Sequence, residues 1–511
     1  MTESRVKKSL LNARVNLIFY FLTLVLTFFS RKIFLDSLGA EFIGLTGTLG
    51  SLLGFLNLAE SGVSSAIAVV LYAPLLERNQ VKINEVVSVL GYLYHTIGKI
   101  IFVGGLVLAC FLPLIFPDSG LRFPIIYFTF FSFLGSSLIG YFINYKQVLL
   151  AADQRNYVVA AYSQTVNIVK VLLQLGLAYY YGNYFVWVIV EFAFGILYAI
   201  ILSWKIKQVY PWLEAEVKSG RGLLKKYPDV MKYTKQLFIH KLGGIVYGQV
   251  TPFLVYAYSS LQAVAYYSNY TLITTKMSAL LSNFLGGTNA SVGNLVAEGN
   301  KDKIINIYWE LMGLRVLFVS IVIFAMYHLL SPFIALWLGQ EYVMSQTMLI
   351  LILVSFALGI IRGVTEDFLT AYGLFSDIWS PFVEAAILIV VAILGGQLWG
   401  LEGTLLGAIV SSLCIVYVWK PYFLFSRGFQ MSVWIYWLEF GKYLILSAFS
   451  FCLCNFLLQC MNINLLVSDS WVDWIMFAVI VSSMFTLVEF LILLLFTKGT
   501  RNLVYRFIKR L

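Results

Sequence analysis

The chain has 511 residues, of which 60% are hydrophobic and only 12% are charged. Soluble domains carry about 25% charged residues, so this composition excludes a soluble globular protein and indicates that lipid surrounds much of the chain. In a membrane protein, the formal net charge of +10 indicates basic residues facing anionic headgroups of the cytoplasmic leaflet, and we expect no nucleic-acid partner.

Apolar runs recur along the chain, and a helix needs about 20 such residues to cross a bilayer. They lie near residues 15–35, 42–72, 90–112, 123–147, 158–181, 184–204, 236–258, 263–296, 307–330, 344–371, 379–396, 402–424, 440–460 and 473–497. These runs are longer than barrel strands and do not alternate. The prediction is an all-α integral membrane protein with about 14 transmembrane helices.

The longest polar interruption runs from Trp204 to Lys235 and predicts a cytoplasmic linker. Its basic residues are Lys205, Lys207, Lys218, Arg221, Lys225, Lys226, Lys232 and Lys235. We therefore predict an N-terminal six-helix bundle (1–210), a linker (211–234), a C-terminal six-helix bundle (235–430) and two additional helices with a basic tail (431–511). The tail, RNLVYRFIKRL, is basic and amphipathic, which is typical of a helix on the membrane interface.

The distribution of Lys and Arg predicts the orientation. With a cytoplasmic N-terminus, the outside loops hold only Arg31, Lys32 and Arg122, whereas most of the other basic residues fall on the inside. Cytoplasmic loops carry an excess of Lys and Arg, so both termini are expected in the cytoplasm.

Two stretches of the first half have counterparts in the second. Leu38 and Leu261 begin similar segments 223 residues apart, and LLAADQRNYVVAAYS resembles FLTAYGLFSDIWSPF about 219 residues later. Each unit has an even number of spans, so both insert in the same orientation. The pattern predicts two pseudo-symmetric bundles related by an axis along the membrane normal, with a site between them. A shared bias toward small residues is the alternative explanation.

Ionisable residues inside spans raise the free energy of membrane insertion, and they often have a function. The deepest are Glu60, Lys170, Glu191, Lys276 and Arg362. A second group is expected nearer the span ends, where long side chains reach the interface: Lys99, Lys241, Arg315, Glu366, Asp367, Glu384 and Glu489.

Three of the deep charges have two open interpretations. Arg362 and Glu366 are four residues apart on one helix face, so they form either an internal ion pair or an anion site in which Glu366 positions Arg362. Lys170 has no partner at helical spacing, so it pairs across helices or lines a cavity. For Lys276 we favour the cavity.

No nucleotide-binding, metalloprotease, serine-hydrolase or kinase motif occurs. The cysteines have neither redox nor zinc spacing. We therefore expect no metal or cofactor, and a proton or sodium gradient is the energy source left open. Glu60 and Glu191 are candidate ion-coupling sites, because a buried carboxylate can change protonation as its surroundings alternate; they could equally be fixed ion-pair partners.

Two local patterns carry a family resemblance: SRKIFLDSLGAEFIG (Ser30 to Gly44) and LAESGVSSA (Leu58 to Ala66). With the span architecture, they resemble the multidrug/oligosaccharidyl-lipid/polysaccharide (MOP) exporter superfamily, which includes the MATE transporters. Within it the chain is similar to the polysaccharide transporters, the Wzx-like O-antigen flippases. The resemblance implies alternating access of two bundles, with no enzymatic activity.

The related lipid II branch binds diphosphate through basic residues of spans 1, 2 and 8. Arg31 matches the span-1 position. Phe55 stands where that branch has its span-2 arginine, and Lys276 lies over a turn beyond the span-8 position, which falls at about Tyr270. These departures speak against lipid II itself and leave a different lipid-diphosphate substrate open.

The leading hypothesis is a flippase of the bacterial inner membrane that moves undecaprenyl-diphosphate-linked oligosaccharide to the periplasmic leaflet. Arg31, Lys276, Arg362 and Lys170 are the candidate diphosphate ligands. Its expected partners are this substrate, membrane lipids and other polysaccharide assembly proteins. An ion-coupled multidrug or metabolite antiporter is the alternative, followed by a membrane polymerase or glycosyltransferase, for which no catalytic loop is found.

Overall fold

The computed structural model describes residues 5–60, 62–117, 119–285, 289–374, 376–461 and 470–508, and all regular structure in these ranges is helical. The helices of the first half and linker are α1 (Arg5–Leu56), α2 (Val63–Glu77), α3 (Gln80–Ile115), α4 (Phe123–Phe142), α5 (Gln147–Ala152), α6 (Asn156–Tyr181), α7 (Tyr184–Val209) and α8 (Gly220–Leu223). Those that follow are α9 (Pro228–Ala257), α10 (Leu261–Leu285), α11 (Asn289–Glu298), α12 (Lys301–Trp337), α13 (Gln346–Ile361), α14 (Gly363–Ala371), α15 (Ser380–Ser411), α16 (Lys420–Phe423), α17 (Trp434–Cys460), α18 (Trp471–Phe496) and α19 (Lys498–Ile508).

Ten helical segments within the described ranges are long and apolar enough to cross a membrane. Two of them contain non-helical residues, at Gly39 in α1 and at Trp399 and Gly400 in α15. The first contains the predicted span 15–35 and the beginning of 42–72, and the second, Ser380–Phe429, contains nearly all of the predicted span 379–396 and all of 402–424. The helices α9 and α10 occupy the positions of two further predicted spans. The chain is therefore an all-α, multi-pass membrane protein, as the sequence predicts.

Contacts divide the chain into two compact units, residues 1–265 and 266–511. In the first unit, α1 packs on α6 and α9, α4 packs on α7, and α2 packs on α3 and α9. In the second, α12 is the central helix and contacts α13, α17, α18 and α19. The boundary between the units falls within α10.

The second predicted span is not one continuous helix. A 3₁₀ turn at Asn57–Glu60 and a left-handed residue, Gly62 with φ of +100°, separate α1 from α2. A Cβ atom on Gly62 would lie 2.8 Å from the carbonyl oxygen of Thr234, so only glycine fits both the backbone conformation and this close approach. Of the predicted span 263–296, α10 covers the part up to Leu285 and α11 begins at Asn289, and residues 286–288 lie outside the described residues.

A similar turn recurs in both halves. Asp153, in the turn after α5, accepts a hydrogen bond of 2.9 Å from the hydroxyl of Tyr210 at the end of the sixth span. Asp377, in the turn after α14, accepts one of 2.7 Å from Lys420 Nζ near the end of the twelfth span. In each half an aspartate thus ties the turn after the fourth span of that half to its last span, which supports the predicted repeat.

The polar linker lies against the start of α3. Lys226 Nζ is 2.7 Å from Glu85 Oε2, and the Tyr227 hydroxyl donates a bond of 2.6 Å to the same oxygen. The backbone N–H of Glu216 donates to the hydroxyl of Ser88 over 3.0 Å. Burial, and then hydrogen bonding to the Glu85 carboxylate, raise the pKa of Tyr227, so its phenol stays protonated as the donor.

The basic tail forms a helix, α19, that packs on α12. Arg506 Nη2 is 3.0 Å from Glu310 Oε1. A Cβ atom on Gly499 would lie 2.2 Å from the carbonyl oxygen of Trp309, so the absence of a side chain permits this close packing. Residues 509–511 of the predicted amphipathic tail lie outside the described residues.

Candidate functional site

The break between α1 and α2 positions a carboxylate among hydroxyl groups. Glu60 is the last residue of the 3₁₀ turn, and its Oε1 accepts hydrogen bonds from the hydroxyls of Ser64, at 2.5 Å, and Tyr94. Its Oε2 accepts from the Tyr141 hydroxyl at 3.3 Å. Tyr141 also donates to Asn57, at 3.1 Å. We call Glu60, Ser64, Tyr94, Tyr141 and Asn57 the Glu60 cluster.

Among the described residues, hydroxyl groups surround the Glu60 carboxyl and no basic residue forms an ion pair with it. Hydroxyl donors on three sides stabilise a carboxylate, and each such bond to a charged group contributes about 1.5–3 kcal/mol. Hydroxyls can also accept hydrogen bonds or ligate a small cation. In the part of the chain that the structure describes, the cluster is thus a carboxyl group among hydroxyls, without a cation.

Lys170 and Glu191, two separate candidates in the sequence, pair with each other between α6 and α7. Lys170 Nζ is 2.6 Å from Glu191 Oε1, with the two side chains 16% and 26% exposed. The buried Gln174 donates to Glu191 Oε2 over 3.0 Å. Of the interpretations open for Lys170, pairing across helices is therefore found, and both oxygens of Glu191 are engaged.

A second cluster of charges lies in the second unit, around the junction of α13 and α14. Arg315 of α12 pairs with Asp367 at 2.8 Å and donates to the carbonyl oxygen of Ile360 at 3.0 Å. A Cβ atom on Gly363 would lie 1.8 Å from Arg315 Nη1, so the missing side chain makes room for the guanidinium.

Arg362 lies at that junction and contacts two carboxylates. Its Nη2 is 2.7 Å from Glu366 Oε1, and its Nη1 is 3.5 Å from Glu384 Oε1 on α15. The internal ion pair expected from the spacing of Arg362 and Glu366 is present, and Glu384 extends it. Together with Arg315 and Asp367, this Arg315–Arg362 cluster contains two cations and three carboxylates.

The remaining candidates, Arg31 and Lys276, are on α1 and α10, and both are half-buried. Arg31 Nη2 donates to the carbonyl oxygen of Ala265 over 3.0 Å. Each of these two basic side chains is thus partly buried and partly exposed.

Several charges expected to reach the interface are in fact enclosed. Arg315 and Asp367 are each 13% exposed, the Glu384 side chain is 12% exposed, and Glu489 is fully buried. Glu489 Oε1 accepts from Ser320 and Ser447, at 2.9 and 2.6 Å. The expectation fails because distance along an apolar run does not reveal which face a helix turns to its neighbours. The closeness in sequence of Arg362 to Glu366 and Asp367, which carry the opposite charge, was the available signal.

Two other expectations from that group have different outcomes. Lys99 is exposed, and the Glu366 side chain is 42% exposed. The Lys241 side chain lies outside the described residues. No group of three or more His, Cys, Asp or Glu residues that could hold a metal occurs in the part of the chain that the structure describes.

No protein-family model matches the chain, and no curated protein matches it. Solved structures do match. A multidrug resistance MATE family transporter of the MOP superfamily, in an inward-facing conformation, is 14% identical with a TM-score of 0.58, over 77% of this chain and 92% of that chain. The lipid II flippase MurJ, in an inward closed conformation, is 16% identical with a TM-score of 0.60, over 92% of this chain and 97% of that chain.

The chain has the fold of these transporters. Such identities establish the fold alone, and the predicted MATE-like architecture is confirmed at that level. The MurJ structure accounts for more of the chain than the MATE transporter does.

Proposed function

We propose that the chain is a flippase for lipid-diphosphate-linked oligosaccharide in the bacterial inner membrane, working by alternating access. The observation that carries the proposal is the extent of the likeness to the lipid II flippase, which spans 92% of this chain and 97% of that structure. The MATE transporter leaves nearly a quarter of this chain unmatched, since it covers 77%.

The chemistry of the substrate supports the same choice. A diphosphate head carries two or more negative charges and needs cations and water along its path, whereas its long tail needs apolar surroundings. Arg31 and Lys276 are the cations that best meet this need, because they lie half-buried in spans. Arg362 and Lys170 are held by carboxylates at 2.7 and 2.6 Å, so their proposed role as ligands requires those pairs to open.

The Glu60 cluster is the proposed site of ion coupling. Its carboxylate is held by hydroxyls, so a proton or sodium ion can enter without breaking a salt bridge. Glu191 is less suited to this role, because both of its oxygens are engaged by Lys170 and Gln174.

An ion-coupled antiporter for drugs or metabolites is the second candidate. The observation that favours it is the Arg315–Arg362 cluster, in which three carboxylates outnumber two guanidinium groups. A net acidic site inside a transporter suits a cationic cargo. This candidate predicts that basic residues such as Arg31 and Lys276 are dispensable for transport.

The test is complementation of a bacterium lacking its own oligosaccharide flippase, with surface glycan and membrane abundance measured together. We expect Lys276→Gln and Arg31→Gln to lose most glycan at normal abundance, and Lys276→Arg to retain much of it. Lys32→Gln is the matched control, because Lys32 adjoins Arg31 but is exposed.

Normal glycan in both Gln variants would exclude the cationic path and favour the antiporter. A fall in abundance confined to these variants, with glycan per molecule unchanged, would make Arg31 and Lys276 structural residues. The proposal also includes an orientation in the membrane, with both termini in the cytoplasm. In this orientation the linker lies on the face where the substrate is synthesised. The assembly proteins that use the glycan lie on the opposite face.

A further inference from the structure

A cavity of about 680 Å³ lies at the end of the first unit where three connections meet. It is bounded by the α2–α3 turn, the α5–α6 turn and the residues that follow α7. Its polar and aromatic lining includes Tyr72, Arg78, Gln80, Asp153, Arg155 and Trp212. None of these residues belongs to the proposed ion or diphosphate sites, and two come from the DQRN segment of the repeated sequence motif.

The cavity has an excess of positive charge. Arg155 Nε is 2.8 Å from Asp153 Oδ2, and its guanidinium lies 5.9 Å from the centre of the Tyr210 ring. Arg155 is thereby fixed in place and its charge is balanced. Arg78 is exposed, and its side chain makes no hydrogen bond or ion pair with any residue that the structure describes. The cavity is therefore lined by two guanidinium groups. That of Arg155 is paired with Asp153, whereas that of Arg78 has no carboxylate partner among the described residues.

The backbone on both sides of the cavity adopts an unusual conformation. Arg78 and Gln154 have φ of +54° and +59°, and they are two of three non-glycine residues with positive φ in the described chain. Such residues persist where their surroundings hold them, and they concentrate at ligand-binding positions. The Asn12 side chain donates to the carbonyl oxygen of Gln154 over 3.0 Å, which fixes one of these turns.

The outer wall of the cavity is apolar and faces away from the protein. Tyr72 is 55% exposed and Leu76 is 71% exposed, and both are on the last turns of α2. Trp212, after the end of α7, also lines the cavity. Aromatic side chains at the ends of membrane helices lie at the level of the lipid headgroups, so the cavity combines a headgroup-level position with an apolar flank.

We propose that this cavity binds the phosphate-bearing headgroup of an anionic membrane phospholipid. Arg78 and Arg155 provide charge-assisted hydrogen bonds to the phosphate, and the acyl chains lie along Tyr72 and Leu76. Basic pockets between membrane helices on the cytoplasmic side take anionic headgroups in this way. Because the linker begins at the cavity wall, a bound lipid would stabilise the joint between α7 and the linker.

The test is native mass spectrometry of the full-length protein in detergent with added phosphatidylglycerol or phosphatidylcholine. We expect the wild-type protein to retain phosphatidylglycerol preferentially, and Arg78→Gln to lower the retained fraction about fivefold. Arg78→Lys should restore part of it. Arg221→Gln is the matched control, because it removes one exposed arginine of the nearby linker that does not line the cavity.

Equal retention of the two lipids, or an equal loss in Arg78→Gln and Arg221→Gln, would overturn the proposal. Inorganic phosphate at about 10 mM distinguishes a lipid site from a free-anion site, since a lipid held by its chains as well resists displacement. Full displacement would reject the lipid assignment. The Arg78 side chain is exposed, so the substitution should leave the thermal stability of lipid-free protein unchanged.

Discussion

The buried pair of Arg315 and Asp367 makes a quantitative prediction. In the variant Arg315→Met, Asp367 keeps its enclosed position, 13% exposed, but loses its ion pair with Arg315. Removing one partner of a buried ion pair typically costs about 3–5 kcal/mol. The lost hydrogen bond to the carbonyl of Ile360 adds about 1 kcal/mol.

We expect the lower end of this range, since an unfolded membrane segment in detergent also finds polar partners. A cost of about 3 kcal/mol shifts the unfolding equilibrium by roughly two orders of magnitude. The measurement is a titration of the purified protein from mild detergent into dodecyl sulfate, followed by the loss of helical signal. The double variant Arg315→Met/Asp367→Leu should recover much of the loss, because no isolated charge remains.

A control for the loss of charge is Lys82→Met, which removes the cation of an exposed pair with Glu77 whose side chains are 49% and 52% exposed. Exposed pairs contribute about 0–1 kcal/mol, so this variant should resemble the wild type. If Arg315→Met is as stable as Lys82→Met, or if the double variant is less stable than Arg315→Met, the reasoning about an enclosed pair is refuted.

Three other predictions concern transport, packing and topology. Glu60→Gln should insert normally but lose the dependence of flux on an ion gradient, as measured in vesicles with and without an uncoupler; unchanged dependence would remove Glu60 from coupling. Gly363→Ala should be destabilised by more than 1 kcal/mol, because the new methyl group would meet the guanidinium of Arg315 at 1.8 Å; wild-type stability would mean that Arg315 readily moves aside. In a cysteine-free background, Ser219→Cys should react with an impermeant thiol reagent only in opened cells and Arg122→Cys already in intact cells, and the reverse pattern would invert the orientation.

The helices were predictable because, in lipid, an apolar run of this length must satisfy its backbone hydrogen bonds within its own segment, and an α-helix does this. The breaks within the predicted spans were not predictable. Nothing in the hydropathy of residues 42–72 marks the turn at Asn57–Glu60, since its cause lies in the close approach of Gly62 to the backbone at Thr234. A contact between residues so distant in sequence leaves no periodic signal in either segment.

The candidate sites were only partly predictable, for a related reason. Pairs at helical spacing, such as Arg362 and Glu366, follow from helix geometry and are present. The pairs of Lys170 with Glu191 and of Arg315 with Asp367 join different helices, and their partners depend on how each helix is rotated. The hydroxyl groups around Glu60 could not be predicted either, because they also come from other helices. Tyrosines are common in membrane proteins whether or not they donate a hydrogen bond to a carboxylate.

The kink at Gly39, with φ of +79° and ψ of +161°, joins the first two predicted spans through a single non-helical residue. Proteases need several residues of accessible, extended chain, which one glycine between two helices does not offer. Digestion of intact cells should therefore spare this connection even though the predicted orientation places it on the outer face. An epitope tag inserted at Gly39 would have to unwind a helix on either side, so the polar linker is the better site for a reporter.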